Sequence, residues 1–220
     1  SLKDERAVTL LDRYATYAGS DPRRATSVLA TIPYMEQTFG AFHIAGGIRA
    51  LGTALFNRCI ERGVTFELNR PATRITRDSA GRVNGVDTAS GHIAADAVVA
   101  NVDARQLADR LLPEEPSLKS ALRAPQSLSG FCMYLAVEGT TPNIAHHNVW
   151  FAADYDAEFD SIFGTGRFRD GARPIDDPVV YACVPQDSAM APAGCESWFI
   201  LINAAPHSPS ADRTHVNWDE

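Results

Sequence analysis

The adjacent histidines His146-His147 are the first pair in the sequence that could bind a metal ion, since imidazole is a common ligand of transition metals. Both fall at a segment of strand-like composition, where neighbouring side chains point to opposite faces of a sheet. On this reasoning the two rings cannot hold one ion. No second group of His, Cys and Asp has ligand spacing. We therefore predict no metal site.

Paired carboxylates could perform acid–base chemistry, and the candidates are Asp154 with Asp156 and Asp176 with Asp177. Such charged residues in loops rich in Gly and Pro are usually solvated. The sequence contains no G-x-S-x-G nucleophile elbow and no P-loop. The segment 164–166 lacks the further glycine and the preceding strand of a dinucleotide-binding fingerprint. Spacing alone therefore predicts no catalytic residue.

The cysteines Cys59, Cys132, Cys183 and Cys195 are scattered and form no C-x-x-C pair. No histidine lies at zinc-finger distance from them. This pattern favours a reducing compartment and buried, inert thiols that pack as small apolar groups.

Composition is that of a folded globular protein, with 220 residues of which 45% are hydrophobic. A net charge of −7 argues against nucleic acid as a partner, because phosphate binding requires a positive field. No apolar run approaches the roughly 18–20 residues of a membrane-spanning helix. The segment 1–6 is polar and does not resemble a signal peptide. We expect a cytoplasmic protein.

Hydrophobic periodicity predicts three helices in the first part of the chain: 4–17, 22–31 with an interruption at Pro33, and 48–62 with Gly63 as C-cap. The third is the clearest. Its apolar face comprises Ile48, Leu51, Leu55, Phe56 and Cys59.

Strand periodicity follows, with a strand over 64–68, an antiparallel meander over 71–94 and a continuously apolar strand over 97–100 that we expect to be buried on both faces. A helix over 103–112 begins after Asp103 as N-cap. The remaining predicted elements are strands at 128–137, 147–152, 178–184 and 196–204 and a helix near 155–163. We predict an α+β or mixed α/β fold with a mixed sheet flanked by helices.

Five segments, in order along the chain, resemble motifs of the bacterial phytoene desaturases, which are flavin-dependent carotenoid desaturases of the amine-oxidase-like superfamily. The segment 39–51 resembles G-x-[WF]-x-x-x-G-G-x-x-x-L, and 145–147 resembles the A-H-H element. The segment 191–194 resembles A-P-x-G. The five segments are 39–51, 62–75, 81–104, 144–163, which contains the A-H-H element, and 178–207, which contains A-P-x-G.

The resemblance implies FAD as cofactor and a Rossmann-like flavin domain of which this chain holds only an inner section. Neither the family's N-terminal glycine-rich βαβ unit nor its C-terminal G-D-x-x-x-P-G segment occurs. We expect a central fragment that does not retain FAD by itself. Its expected parts are 1–62 as the helical part of the substrate domain, 63–112 as the inner section of the flavin domain and 113–220 as the substrate-domain sheet.

The resemblance also implies cofactor neighbours. Ala72 stands where the family has a valine against the adenine end of FAD. Asn101 follows the predicted strand 97–100, at the end where open α/β sheets present ligands. The alternative for Asn101 is to cap the helix over 103–112.

A polyisoprenoid substrate requires apolar walls, and Phe42 and His43 are the predicted substrate-binding residues. His43 is the ionisable residue expected near the flavin, and its alternative is a structural histidine. Other candidate lining residues, for each of which ordinary core packing is the alternative, are Phe39, Met133, Trp150 and Phe163. The family's acidic catalytic position falls outside the chain, so no catalytic residue is expected here.

The implied function is desaturation of a carotenoid-like polyisoprenoid by hydride transfer to flavin. Two alternatives remain open: an apolar-ligand-binding or structural module without redox activity, and a related flavoenzyme acting on another apolar alcohol, aldehyde or amine. Because polyenes reside in bilayers, peripheral contact with the inner face of the membrane is expected, with the helix over 4–17 as candidate. Apolar surface left by absent partners would favour self-association.

Overall fold

The computed structural model describes residues 3–208 and 215–219. It divides into two compact units. The first, here called the sheet unit, comprises Ser1–Phe56 and Gln126–Glu220, and the second, the meander unit, comprises Asn57–Pro125. The assignment of 1–62, 63–112 and 113–220 to substrate and flavin domains concerns function and stays a prediction.

The sheet unit is built on four antiparallel strands in the order β4-β7-β6-β5. Their bounds are β4 Ser129–Glu138, β5 His147–Trp150, β6 Val180–Cys183 and β7 Cys195–Ala204. The long strands β4 and β7 pair from Ser129↔Ala204 to Glu138↔Cys195. The four predicted strands and the α+β class are confirmed. Every pairing in this sheet is antiparallel, where a mixed sheet was expected.

Helix α6, Tyr155–Phe163, supplies the buried core of this unit. Asp154 caps it by accepting from the Ala157 N–H at 3.1 Å, and Gly164 ends it in the left-handed conformation. The largest fully buried side chains are Phe159, Ile162, Glu158, Val179 and Val184. The core therefore lies between α6 and the strand β6 with its flanking residues.

The N-terminal helices of the sheet unit are α1 Glu5–Asp12 and α2 Thr31–Phe39, with 3-10 turns at Arg13–Ala18 and Ser27–Ala30. The predicted helix over 22–31 is wrong, because regular helix begins where it was expected to end. Pro33 occupies the third position of α2, where a backbone N–H would have no acceptor within the helix. Proline is therefore compatible with the first turn.

Helix α3, Ile48–Glu61, confirms the clearest prediction, and Gly63 follows it with a φ of 77°. Its predicted apolar face is largely uncovered. Ile48 is 75% exposed and Leu55 is 59% exposed, and Leu51 and Phe56 are exposed as well. The helix forms without burying the face that its sequence pattern provides.

The meander unit contains three antiparallel strands in sequence order, β1 Ala72–Arg77, β2 Val83–Thr88 and β3 Gly91–Ala94. The predicted meander is therefore confirmed. The helical segments that follow are α4 Ala104–Gln106, a π turn at Leu107–Leu111, a 3-10 turn at Pro116–Leu118 and α5 Lys119–Arg123. The buried hydrophobic residues of this unit are Ile75, Ala108 and Leu111.

The predicted strands over 64–68 and 97–100 are wrong for the chain as described. Neither segment forms a strand, and Val99 is 96% exposed instead of buried. A strand requires a neighbour to satisfy its backbone N–H and C=O groups. Among residues 3–208 and 215–219, no strand pairs with either segment.

Candidate functional site

The carboxylate of Asp187 joins two segments that are distant in sequence. Its Oδ2 lies 2.9 Å from His43 Nε2 and accepts a hydrogen bond from the Gly46 N–H at 2.8 Å. Its Oδ1 accepts from the Ala189 N–H at 2.9 Å. The His43 side chain, followed by the two backbone N–H groups, lowers the pKa of Asp187 to about 2. Asp187 is therefore ionised at neutral pH and holds residues 43–46 against the loop that follows β6.

The glycine pair Gly46-Gly47 is required by backbone conformation. Both residues have positive φ, 78° and 82°, a region that side chains disfavour. Gly47 is also buried, and a Cβ placed on it would lie 2.6 Å from the sulfur of Met190. The turn therefore packs closely on the loop that carries Asp187.

Three histidines, His43, His146 and His147, form what we call the histidine cluster. The ring centroids of His43 and His146 are 5.1 Å apart, and those of His146 and His147 are 4.5 Å apart. The premise that His146 and His147 point to opposite faces of a sheet is wrong, since β5 begins only at His147. His146 precedes the strand, so strict alternation does not apply to it.

The β5–β6 strand register places a thiol and a phenol beside the histidine cluster. Cys183 lies directly opposite His147 in the β5–β6 pairing, so the two side chains share one face of the sheet. Tyr181 lies two residues before Cys183 on that face, and its hydroxyl is 2.8 Å from His147 Nδ1. Sequence reasoning missed both residues. The A-H-H segment was the sequence signal for this region. Which residues of β6 lie beside it is known only from the β5–β6 register.

The electrostatics of the cluster favour neutral imidazole at His146. Burial, and then repulsion by His147 and His43, lowers the pKa of His146. On β6, burial and the neighbouring Cys183 thiol raise the pKa of Tyr181. At neutral pH the histidine cluster therefore contains an uncharged imidazole, at His146, and is flanked by the protonated phenol of Tyr181 and the carboxylate of Asp187.

The expectation of four buried thiols is wrong. Cys132 is exposed, and Cys59, Cys183 and Cys195 are partly exposed; all four are free. The reason is that these positions lie on faces of β4, β6, β7 and α3 that the described residues cover only in part.

Two of the four candidate carboxylates, Asp154 and Asp177, make contacts that stabilise local structure. Asp154 caps α6 and pairs with Arg167 at 2.6 Å, and Asp177 accepts from the Ala153 N–H at 2.8 Å. Each contact fixes a loop beside α6. These carboxylates thus stabilise local structure.

The predicted substrate-binding residues Phe42 and His43 have different surroundings. His43 is held by Asp187, whereas Phe42 is 86% exposed. Phe39, Met133 and Trp150 are exposed and Phe163 is partly buried. A cavity of about 250 Å³ is lined by Thr140, by Asp187 and other residues of the loop after β6, and by the first two residues of β7, and none of the predicted lining residues belongs to it. The apolar walls therefore do not form an enclosed tunnel with this cavity, and their role stays a prediction.

The predicted cofactor neighbours lie in the meander unit. Ala72 is the first residue of β1, opposite Thr88, and is exposed. Asn101 is exposed in the loop after 97–100. The cap of the following helix is Asp103, which accepts from the Arg105 N–H at 2.8 Å, so the capping alternative for Asn101 does not hold. Both predicted positions are accessible to a ligand, which is compatible with a cofactor role.

Comparison with known proteins gives a family match over most of the chain. The family described as "Flavin containing amine oxidoreductase" matches residues 5–175. The 1-hydroxycarotenoid 3,4-desaturase of Flavobacterium sp. (strain P99-3) is 33% identical over 199 residues, which cover 88% of this chain and 39% of that protein. The 4,4'-diapolycopene oxygenase of Methylomonas sp is 31% identical over 215 residues, covering 96% and 41%.

A third relative, the zeta-carotene-forming phytoene desaturase of Myxococcus xanthus, is 32% identical over 214 residues, covering 96% of this chain and 40% of that protein. The chain thus spans about two fifths of the length of these curated relatives. The resemblance predicted from the five sequence segments is confirmed.

Proposed function

Because the chain belongs to the flavin-containing amine oxidoreductases, we propose that it forms the central part of an FAD-dependent carotenoid desaturase. The proposed substrate is a carotenoid-like polyisoprenoid, and the proposed product carries an additional C=C bond. FAD, when bound, supplies the acceptor for the hydride that leaves the substrate. In this proposal the residues of this chain position the substrate and contribute to the cofactor site.

The observation that carries the proposal is the convergence of three desaturase-like segments at one place in the sheet unit. The segments 39–51, 144–163 and 178–207 meet where His43, Asp187 and His146 lie close together. His43 and Asp187 are 144 residues apart along the chain. Motifs that only stabilised their own structural elements would not need to lie together. Their convergence at one place therefore favours a common function.

Within this proposal the residues act by positioning. Phe42 offers an exposed aromatic surface to an apolar chain, and the Asp187–His43 pair fixes the backbone beside it. Ala72 and Asn101 lie at exposed positions where a cofactor could contact the meander unit. No proton or hydride transfer is assigned to a side chain of this chain.

The proposal is tested with the product of the complete gene, purified and incubated with FAD and a panel of carotenoids of increasing saturation. Desaturation lengthens the conjugated system, so we expect the absorption of one substrate to shift to longer wavelength. Bound flavin without conversion of any polyene would refute the desaturase function and favour a related flavoenzyme. Absence of both flavin and polyene binding would favour a structural module.

A matched pair of variants tests whether activity depends on the convergence site, which is the place where His43, His146 and Asp187 lie close together. Asp187→Asn removes the negative charge of the carboxylate whose Oδ2 lies 2.9 Å from His43 Nε2 and accepts from the Gly46 N–H, and we expect conversion to fall at least about tenfold. Asp176→Asn makes the same chemical change at an exposed loop position and should retain activity. Equal activity of the two variants would contradict a role in catalysis for the contacts of Asp187 with His43 and Gly46.

We also propose that the protein binds peripherally to the cytoplasmic face of the membrane through α1 and the turn after it. Leu10 is 53% exposed and Tyr17 is 69% exposed, so both offer side chains that could contact lipid. Within the described residues, no helix has the length and hydrophobicity needed to cross a bilayer. Co-sedimentation with lipid vesicles tests this, and Leu10→Glu should reduce the bound fraction whereas Thr9→Glu should not.

A further inference from the structure

Two imidazoles and one thiol meet at the β5–β6 edge of the sheet unit. The potential ligand atoms of His146, His147 and Cys183 all lie within 4.8 Å of one another. This donor set is nitrogen and sulfur. Such donors suit Zn²⁺ and related transition metals, whereas Mg²⁺ and Ca²⁺ prefer oxygen ligands.

The sheet ladder fixes two of these side chains in place. His147 and Cys183 are direct partners in the antiparallel β5–β6 pairing, where opposite side chains project from the same face about 4.5–5.5 Å apart at Cβ. Cys183 is in turn paired with Phe199 on β7. His146 joins the end of this ladder, since its carbonyl accepts from the Val184 N–H at 2.9 Å. The donors are therefore held by backbone pairing and not by side-chain contact alone.

Tyr181 supports two of the three donors from the same face. Its hydroxyl lies 2.8 Å from His147 Nδ1 and also interacts with the Cys183 thiol. A hydrogen bond donated by Nδ1 to the hydroxyl leaves Nε2 of His147 available as a ligand. Partners of this kind orient metal-binding histidines and stabilise the required tautomer.

We propose that His146, His147 and Cys183 bind a divalent transition metal ion, preferentially Zn²⁺, with the fourth coordination position open to water. Tetrahedral coordination with ordinary Zn–N and Zn–S lengths places ligand atoms about 3.3–3.7 Å apart. The ligand atoms lie within 4.8 Å of one another, so metal binding requires them to move closer together, and His146, which precedes β5, is the donor that the strand itself does not contain. Cys183 ligates as thiolate, so its proton passes to solvent as the metal–sulfur bond forms.

The proposed ion would join β5 to β6 beside the Asp187–His43 pair. No step of the proposed flavin chemistry involves this ion. The metal site can therefore be tested independently of the desaturase function. The competing interpretation is that the three residues pack against each other as an ordinary sheet edge. Metal titration separates the two.

The test uses the protein after reduction and removal of metals with a chelator, titrated with Zn²⁺ by calorimetry and with Co²⁺ by absorption spectroscopy. We expect one ion per chain and a thiolate-to-cobalt charge-transfer band. Cys183→Ser should abolish the band and weaken Zn²⁺ binding at least about tenfold. Cys132→Ser, a matched change on β4 of the same sheet, should leave both unchanged.

Two further variants keep the test decisive if Cys183→Ser fails to fold. His146→Asn lies outside β5 and should cause the same loss of affinity with little effect on the sheet. Tyr181→Phe should weaken binding by roughly 10–100-fold while retaining one ion per chain. Absence of binding, a cobalt spectrum without the thiolate band, or equal affinity of the wild type and Cys183→Ser would overturn the proposal.

Discussion

Asp187 shows how one carboxylate makes a local structure dependent on pH. Its pKa lies near 2, below the ordinary value of 3.8, because His43 and two backbone N–H groups stabilise the ionised form. A lowered pKa contributes stability that is complete above the unfolded value and is lost as the pH falls through the folded value. We expect the free energy of unfolding of the wild type to fall more steeply than that of Asp187→Asn between pH 3.8 and 2.

Urea unfolding followed by tryptophan fluorescence measures this difference across the acid range. Asp176→Asn serves as control and should follow the wild-type slope. Parallel curves for the wild type and Asp187→Asn would show that the carboxylate does not hold the segment 43–46 in solution.

The adjacent glycines Gly46 and Gly47 allow backbone strain to be separated from packing. Alanine at either position must adopt a positive φ, which costs about 1–2 kcal/mol. At Gly46 the added Cβ meets no atom within 4 Å, whereas at Gly47 it meets Met190 at 2.6 Å. We therefore expect Gly47→Ala to lower the free energy of unfolding by about 1 kcal/mol more than Gly46→Ala. Chemical denaturation measures both, and equal losses would indicate that Met190 moves away freely.

At the scale of elements, α6 and β7 share a buried carboxylate. Glu158 is fully buried, accepting from Asn203 Nδ2 at 2.7 Å and from the Val179 N–H at 3.2 Å. Burial raises the pKa of Glu158 above 4.5, although the bond from Asn203 opposes the shift. The folded state therefore holds the proton more tightly than the unfolded state. Stability contributed by the protonated form is complete below pH 4.5 and is lost as the pH rises through the folded value.

Glu158→Gln should remove this pH dependence, because its side chain remains uncharged. We expect the variant to gain stability relative to the wild type as the pH rises from 4.5 to neutrality. Asp156→Asn on the exposed side of the same helix is the control. Thermal unfolding midpoints measured across this range test the expectation, and a constant difference between wild type and Glu158→Gln would contradict it.

The strands that sequence patterns predicted correctly are those whose pairing strands lie among the described residues, whereas α3 forms although its apolar face is largely uncovered. The strands β4 to β7, the helix α6 with its Asp154 cap and the meander all depend on contacts between described residues. The segments 64–68 and 97–100 carry equally strong strand patterns and form no strand. Hydrophobic periodicity indicates that a segment is suited to form a β-strand. It does not indicate whether a neighbouring strand is present to pair with it.

Only part of the candidate site could be predicted from the sequence, because the rest depends on contacts between distant segments. The motif segments located His43 and the A-H-H element, but the approach of Asp187 and Cys183 depends on loop conformation and on strand register. A side-chain period of 2 could not be applied to His146 without knowing that β5 begins one residue later. The missing information was three-dimensional adjacency across distant parts of the chain.

At the scale of the whole molecule, the exposed apolar residues of α3 predict self-association. Leu55 is 59% exposed and Ile48 is 75% exposed on one helix. We expect Leu55→Glu to reduce the weight-average mass measured by light scattering. Asn57→Glu on the same helix adds the same charge without removing apolar surface and should have a smaller effect. Equal effects of the two variants would indicate that net charge, rather than the α3 face, governs association.

The bond between His43 and Asp187 also has a consequence for the time course of biosynthesis. Because its partners are 144 residues apart, the ribosome needs roughly 7–30 s at ~5–20 residues/s between making one and making the other. Throughout that interval the Gly46-Gly47 turn lacks the acceptor that holds it. The nascent chain therefore leaves the His43 side chain and the Gly46 N–H without this acceptor until the loop after β6 has been synthesised.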